Sequence, residues 1–193
     1  MTEPKTQRGV NTKEKIVKAA IKCFFEKGYY ETSINDITSE ADVGNGTFYI
    51  YFDSKINLYT YLIDEYGKRI RRNSSIAITN AKNRKEAERL GIKNFFEFVF
   101  NDQSIFNIVW ESLYIDRSLF DDFYTKFSQS YVKQIKAAQI DGSIRDIDPY
   151  ILSYILMGIT NFVALNSIVL KQEQNIDYLV DEVMKVLENG IYY

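Results

Sequence analysis

The chain has 193 residues, 46% of them hydrophobic and 15% aromatic, enough apolar material for one large or two small cores. A net charge of −2 excludes a uniformly basic nucleic-acid binder, and the lack of histidine excludes imidazole acid–base chemistry. The single cysteine, Cys23, allows no internal disulfide, suits a reducing cytoplasm and leaves no ligand set for zinc.

Residues 1–11 are polar and lack the apolar core of a signal peptide. They are expected to form a mobile arm on which Lys5 and Arg8 are solvated. Thr12 is the expected N-cap of a first helix running to Lys27, with Ile16, Ala19, Ala20, Cys23 and Phe24 on one face and Gly28 as its stop. On that face Cys23 reads as a small core residue rather than a redox sensor.

Between Ser33 and Lys55 the spacing predicts two short helices, from Ser33 to about Ala41 and from Asn45 to about Phe52, joined by a tight corner. Ser33 can cap the first, with Asp36 in the acceptor position of a capping box. Ile34, Ile37 and Ala41 share a face; Asp42 ends the helix in the left-handed region, and Val43 is expected to plug the corner from inside. The second helix buries Phe48 and Phe52, which leaves Asn45, Gly46, Tyr49 and Ile50 on the other side. Two short helices at a sharp angle form a helix-turn-helix, whose second helix enters the DNA major groove by its N-terminal residues.

The run resembles the DNA-binding domain of the TetR (tetracycline repressor) family of bacterial regulators, T-[ST]-x-x-x-I-A-x-x-A-G-V-S-x-G-T-[FL]-Y-x-[YH]-F-x-[ST]-K. Thr32, Ser33, Ile37, Ala41, Val43, Gly46, Thr47, Phe48, Tyr49, Tyr51, Phe52 and Lys55 match. Thr38 stands for the usual Ala, Asp42 for Gly, and Gly44 for the Ser cap. The earlier Ile16, Ala19, Ala20, Phe24, Gly28, Tyr29 pattern also resembles the opening of that domain. The resemblance implies DNA contacts from Thr32, Ser33, Asn35, Asn45, Gly46, Thr47, Tyr49, Tyr51 and Lys55. Of these, Lys55 and Tyr49 are expected on phosphates and the Asn45 amide on an adenine edge.

Lys55 opens a long helical pattern with Leu58, Leu62, Tyr66 and Ile70 on one stripe, ending in the basic run 68–72, read as a solvated face. In the family this helix links the DNA-binding head to the body. The first 72 residues carry a net +2 and the rest −4, an asymmetry too modest to argue DNA binding alone. Further helices are expected over 84–102, 103–115, 117–140, 149–171 and 177–190, with Asp148-Pro149 as a cap and first-turn proline. No alternating stretch is long enough for a sheet, so the chain reads as all-α. A three-helix helix-turn-helix head, residues 1–54, joins a helical ligand-binding and dimerisation bundle, residues 55–193.

Tyr150 to Leu170 carries no charge and is long enough to test as a membrane span. Ser153, Thr160 and Ser167 recur every seven residues, Asn161 and Asn166 interrupt the apolar surface, and neither end carries a basic cluster or a tryptophan belt. It reads as a soluble helix buried on most sides, with no membrane partner. With the amphipathic pattern Tyr178, Val180, Val183, Met184, Leu187 it fits two helices of a homodimer's four-helix bundle. The family uses its last two long helices in this way, so Leu165, Val169, Val183 and Leu187 are the expected interface residues.

No catalytic constellation, metal site or cofactor loop can be assembled, and the chain reads as no enzyme. The middle helices are instead rich in aromatic residues, and apolar pockets with a few polar groups are how small-molecule sites are built. TetR-like proteins bind an inducer in this body, which points to Phe98, Phe106, Trp110, Phe127, Tyr131 and Asn161. A list without charge suits a small hydrophobic or aromatic effector. The expected function is a cytoplasmic, ligand-responsive, homodimeric repressor acting on a double-stranded DNA operator. The alternative is an all-α carrier for a hydrophobic molecule with a vestigial head.

Overall fold

The computed structural model describes residue 4 and residues 6–190; Lys5 lies outside the described residues. Every regular element among them is helical, as expected: α1 Gln7–Glu31, α2 Ile34–Glu40, α3 Asn45–Tyr51, α4 Lys55–Ala77, α5 Arg84–Asn101, α6 Ser104–Ile115, α7 Arg117–Ile140, α8 Pro149–Val163 and α9 Ile176–Asn189. A π-helical segment, Ala164–Leu170, extends α8. The chain packs as two compact units, one of residues up to Tyr66 with Ser104–Phe123, the other of Gly67–Gln103 with the residues from Tyr124 onward.

The first unit holds α1–α3, the first part of α4, and α6. The first helix starts earlier than its sequence suggests. Thr6, not Thr12, is the N-cap and accepts from the Gly9 amide, while the Thr12 hydroxyl donates to Arg8 O one turn back. Residues 7–11, expected in a mobile arm, are therefore helical. Ile16, Ala19, Ala20, Cys23 and Phe24 are buried on the expected face. At Gly28 the backbone leaves the helix with φ +78°, a conformation glycine tolerates, and one further turn runs to Glu31. The conformation reserves the position for glycine, and a Cβ there would also sit 2.9 Å from Glu111 Oε1 on α6 and push that side chain aside. That carboxylate also accepts the Tyr29 amide at 2.8 Å, so α6 is fastened to the end of α1. Along α4, Leu58, Leu62 and Tyr66 are buried as expected, and Tyr59 donates to Ile108 O at 2.7 Å.

The second unit holds the rest of α4 with α5, most of α7, α8 and α9. Asn83 caps α5 and Asn175 caps α9. Asp148 accepts from Tyr150 N and Ile151 N, with Pro149 in the first turn as the sequence indicates. The α9 helix lies against α5, burying Leu179, Val180, Val183 and Met184, and exposed ion pairs Lys93–Asp177, Arg89–Asp181 and Lys85–Glu188 run along the contact. Such pairs orient the helices more than they stabilise them.

The uncharged segment Pro149–Leu170 departs from expectation. Only 28% of its most apolar window is buried, so it is not covered on most sides. Ser153, Leu156, Met157, Ala164 and Ile168 face inward, while Ile151, Ile155, Phe162 and Leu170 stand exposed on the other side. By length and composition it could cross a membrane. The inward face fixes the helix on its unit; the outward face stays exposed among the described residues.

Candidate nucleic-acid interface

The corner between α2 and α3 is built as its sequence dictates. Ser33 accepts from the Asp36 amide at 3.1 Å and the Asp36 carboxylate accepts the Ser33 amide at 2.8 Å, a complete capping box. Lys27 adds a 2.8 Å ion pair to Asp36, and its ammonium together with the Ser33 donors holds that carboxyl well below the usual carboxylate range. Asp42 takes φ +53° to end α2, and Val43 N returns to Thr38 O at 3.0 Å. Val43 is only half-buried, so the corner is closed by its backbone more than by the expected side-chain plug. Gly44 caps α3 without a side-chain bond.

Helical spacing then divides α3. Phe48 and Phe52 are fully buried with rings 5.9 Å apart, and Tyr51, on the same face, is buried too. Asn45, Gly46, Tyr49 and Ile50 are exposed; Tyr49 and Ile50 keep 56% and 59% of their surface. Nothing lies within 4 Å of a Cβ placed on Gly46, so packing does not require glycine there. Thr47 is half-buried beside it.

Three residues expected at DNA are turned inward. Thr32 is 1% exposed, and its hydroxyl is shared between Gly28 O at 2.7 Å and Cys23 O at 3.1 Å, carbonyls left over where α1 breaks. Tyr51 follows Phe48 by three positions and belongs to the core stripe. The Lys55 ammonium, expected on a phosphate, donates to Tyr29 O at 2.6 Å and Thr32 O at 2.7 Å and lies 4.2 Å above the Tyr29 ring. Burial pulls its pKa down, and the nearby Glu111 opposes that. The end of α1 leaves carbonyls without helical partners, and Lys55 supplies the donor.

Two features escaped the sequence reading. An open groove beside the corner is lined by Arg8, Asn11, Thr12, Lys15, Asp42 and Val43, which places two cations next to the turn. Arg8 is thus part of a helix rather than of a solvated arm. The second is a polar chain between α2 and α3: Thr38 Oγ1 lies 2.5 Å from Asn45 Oδ1, and Asn45 Nδ2 lies 2.6 Å from Asn35 Oδ1. Asparagine and threonine on a short helix look like solvated positions in sequence, and only the corner angle brings them together.

The expected effector residues divide between the units. Phe106 and Trp110 sit on α6 in the first. In the second, Phe98 lies under Arg69 at 5.1 Å and Phe127 under Arg71 at 5.2 Å, while Tyr131 donates to Glu88 at 3.2 Å and Asn161 Nδ2 donates to Met157 O at 2.8 Å. The expectation of surroundings without charge is corrected here, since guanidinium groups cover two of the rings and Glu88 meets Tyr131. Glu88 pairs with Arg84, which also donates to Gln134 at 3.0 Å; burial pushes the Glu88 carboxyl up against the pull of Arg84. An Arg and a Glu four apart read in sequence as a surface helix pair. Of the expected interface residues, Leu165, Val169 and Leu187 are half-exposed, but Val183 is buried against its own unit and is not available to a partner.

A capped short helix, a left-handed corner and a second helix with a buried aromatic face and a polar exposed one define a helix-turn-helix domain. Residues 16–62 match the family described as bacterial regulatory proteins, tetR family. The chain is 32% identical over 120 residues to the HTH-type transcriptional regulator in the lacX 3′ region of Lactococcus lactis subsp. lactis, covering 60% of each. It is 26% identical over 105 residues to the Bacillus subtilis HTH-type regulator YdgC, covering 52% of this chain and 54% of that one. The chain thus spans less than two thirds of the length of these curated relatives. Among solved structures it superposes on the fatty acid degradation regulator FadR of Bacillus halodurans with a TM-score of 0.85 at 18% identity, covering 99% and 100% of the two chains. FadR of Bacillus subtilis, solved with stearoyl-CoA, gives 0.80 at 19% identity, covering 93% and 100%. At such identities the likeness establishes the fold.

Proposed function

We propose that this protein is a ligand-responsive, sequence-specific DNA-binding transcriptional regulator, a repressor released from its operator by a small apolar or aromatic molecule. One observation carries the reading: α3 with its C-cap buries Phe48 and Phe52 and exposes Asn45, Gly46, Tyr49 and Ile50 at the edge of a capped corner. Residues 1–54 act as the DNA-binding part and residues 55–193 as the effector and dimer part. Asn35 and Asn45 meet bases, and Ser33, Thr47 and Tyr49 meet the sugar-phosphate backbone, with Arg8 and Lys15 in the role first expected of Lys55. Phe98, Phe127, Tyr131 and Asn161 belong to the effector part. The stearoyl-CoA bound by the FadR neighbour supports an effector with a long apolar portion. The exposed stripe of α8 is covered by a second copy, since a contiguous apolar face of this kind marks an interaction surface. The protein works in the cytoplasm as a regulator rather than an enzyme.

Effector binding weakens DNA affinity only to the extent that the effector prefers the conformation that DNA does not. The test is a gel shift with DNA selected from a random library. The wild type is expected to retain a two-half-site sequence, and Gly46→Ala, which the fold accommodates without a contact, is expected to melt at the wild-type temperature and lose most of that retention. Folded wild-type protein that retains no DNA under any salt condition would leave a carrier for a hydrophobic molecule as the better reading.

A further inference from the structure

Thr38 stands where the family pattern has Ala and is 2% exposed. Its hydroxyl meets Asn45 Oδ1 on the neighbouring helix at 2.5 Å and Ile34 O on its own at 3.0 Å. A hydroxyl has one proton to give. The amide oxygen of Asn45 is the atom set against the hydroxyl, and an amide oxygen can only accept, so Thr38 donates and the Asn45 oxygen accepts. With its oxygen held this way, Asn45 turns its NH₂ group toward Asn35 and donates to Asn35 Oδ1 at 2.6 Å. Asn35 in turn has its oxygen directed at Asn45, which leaves its own NH₂ group on the outward side of an exposed residue. Amide orientation is set by the surrounding bonds, and here the chain of bonds starts at a buried hydroxyl.

We infer that Thr38, acting through Asn45 and Asn35, fixes the polarity of the DNA-reading surface, so that the two asparagines offer N–H donors outward and keep their carbonyl oxygens turned into the corner. An asparagine reads adenine by giving a proton to N7 and accepting one from the N6 amino group; guanine presents two acceptors, N7 and O6. A donor-only pair therefore suits guanine. This revises the expectation of an adenine under Asn45, because the oxygen that adenine needs is turned toward Thr38. Thr38 touches no base and is a positioning residue. The inference rests on the reading of the head as a DNA-binding domain.

The experiment selects DNA from a random library with the full-length wild type and with Thr38→Ala, Thr38→Val and Thr38→Ser. Alanine is what the family pattern carries at this position, valine keeps the volume without the hydroxyl, and serine keeps the hydroxyl. The wild type is expected to enrich guanine at one position in each half-site. Thr38→Ala and Thr38→Val are expected to lower the guanine-to-adenine ratio there by about tenfold, the scale of one bidentate base contact, with other positions unchanged. Thr38→Ser is expected to keep guanine. A merely structural threonine would change affinity for all sequences alike and leave that ratio untouched. If the wild type selects adenine at that position, or all four proteins share one ratio, the inference fails while the DNA-binding reading stands. If the wild type selects no sequence at all, that reading falls and takes the inference with it.

Discussion

Two helices with apolar faces in the sequence, α3 and α8, meet opposite ends. Phe48 on α3 and Phe52 just after it are fully buried inside the first unit. On α8 and its π-helical extension, a longer and wholly uncharged run leaves Phe162 61% exposed and Leu170 69% exposed. Hydrophobicity alone does not separate them. Spacing tells which face a helix turns to its neighbours, but not whether the neighbour for a second face belongs to the same chain. The first unit buries the inner face of α3 among its own helices, whereas α8 buries one face and leaves the other exposed.

The largest effect should come from breaking the closed side. Phe48→Ala removes a fully buried ring, and a loss of about 3–5 kcal/mol is expected from urea unfolding followed by circular dichroism. A loss below about 1 kcal/mol would mean that the head core tolerates a cavity in a way the packing does not suggest. Next comes the open side. Phe162→Arg places a charge on a face that is exposed within one chain, so the monomer fold is expected to survive while the protein elutes at half the wild-type size. If the variant remains folded and elutes with the wild type, the covering copy sits elsewhere. Leu165→Arg and Val169→Arg, first chosen from the sequence, are half-exposed and should act in the same direction less cleanly.

The smallest effect tests the surface of the corner. Ser33→Ala removes one side of the capping box and should cost about 1 kcal/mol. The Asp36 carboxyl on its other side is depressed by Lys27 first and by Ser33 after it. A lowered carboxylate pKa means that the folded state binds its proton less readily than the unfolded state. Its contribution is therefore complete above the ordinary value near ~4 and is lost progressively as pH falls below it. Asp36→Asn should flatten that acid limb of the stability profile, and an unchanged limb would show that the pair is open in solution.

Much of this was legible from the residues. The capping box, the left-handed Asp42 and the starts of α5 to α9 follow from local chemistry, which a sequence displays directly. The misreadings share a cause: each depended on a partner distant in sequence. Lys55 looked like a phosphate ligand because nothing near it in sequence reveals that α1 ends with unsatisfied carbonyls 23 and 26 residues earlier. Val183 looked like an interface residue because its stripe on α9 is apolar on both sides of the line that α5 covers. Thr12 looked like a cap because its hydroxyl serves the backbone equally well from inside a helix.

The lone cysteine has a practical consequence. Cys23 is 5% exposed on the inner face of α1, and burial pushes its thiol up, away from the reactive thiolate. A thiol reagent in solution can reach it only in those moments when the first unit opens. With no other sulfhydryl among the 193 residues, the rate of labelling measures how often that opening occurs. The unaltered protein thus carries its own clock for the breathing of its first unit, and the same clock can be timed with and without DNA.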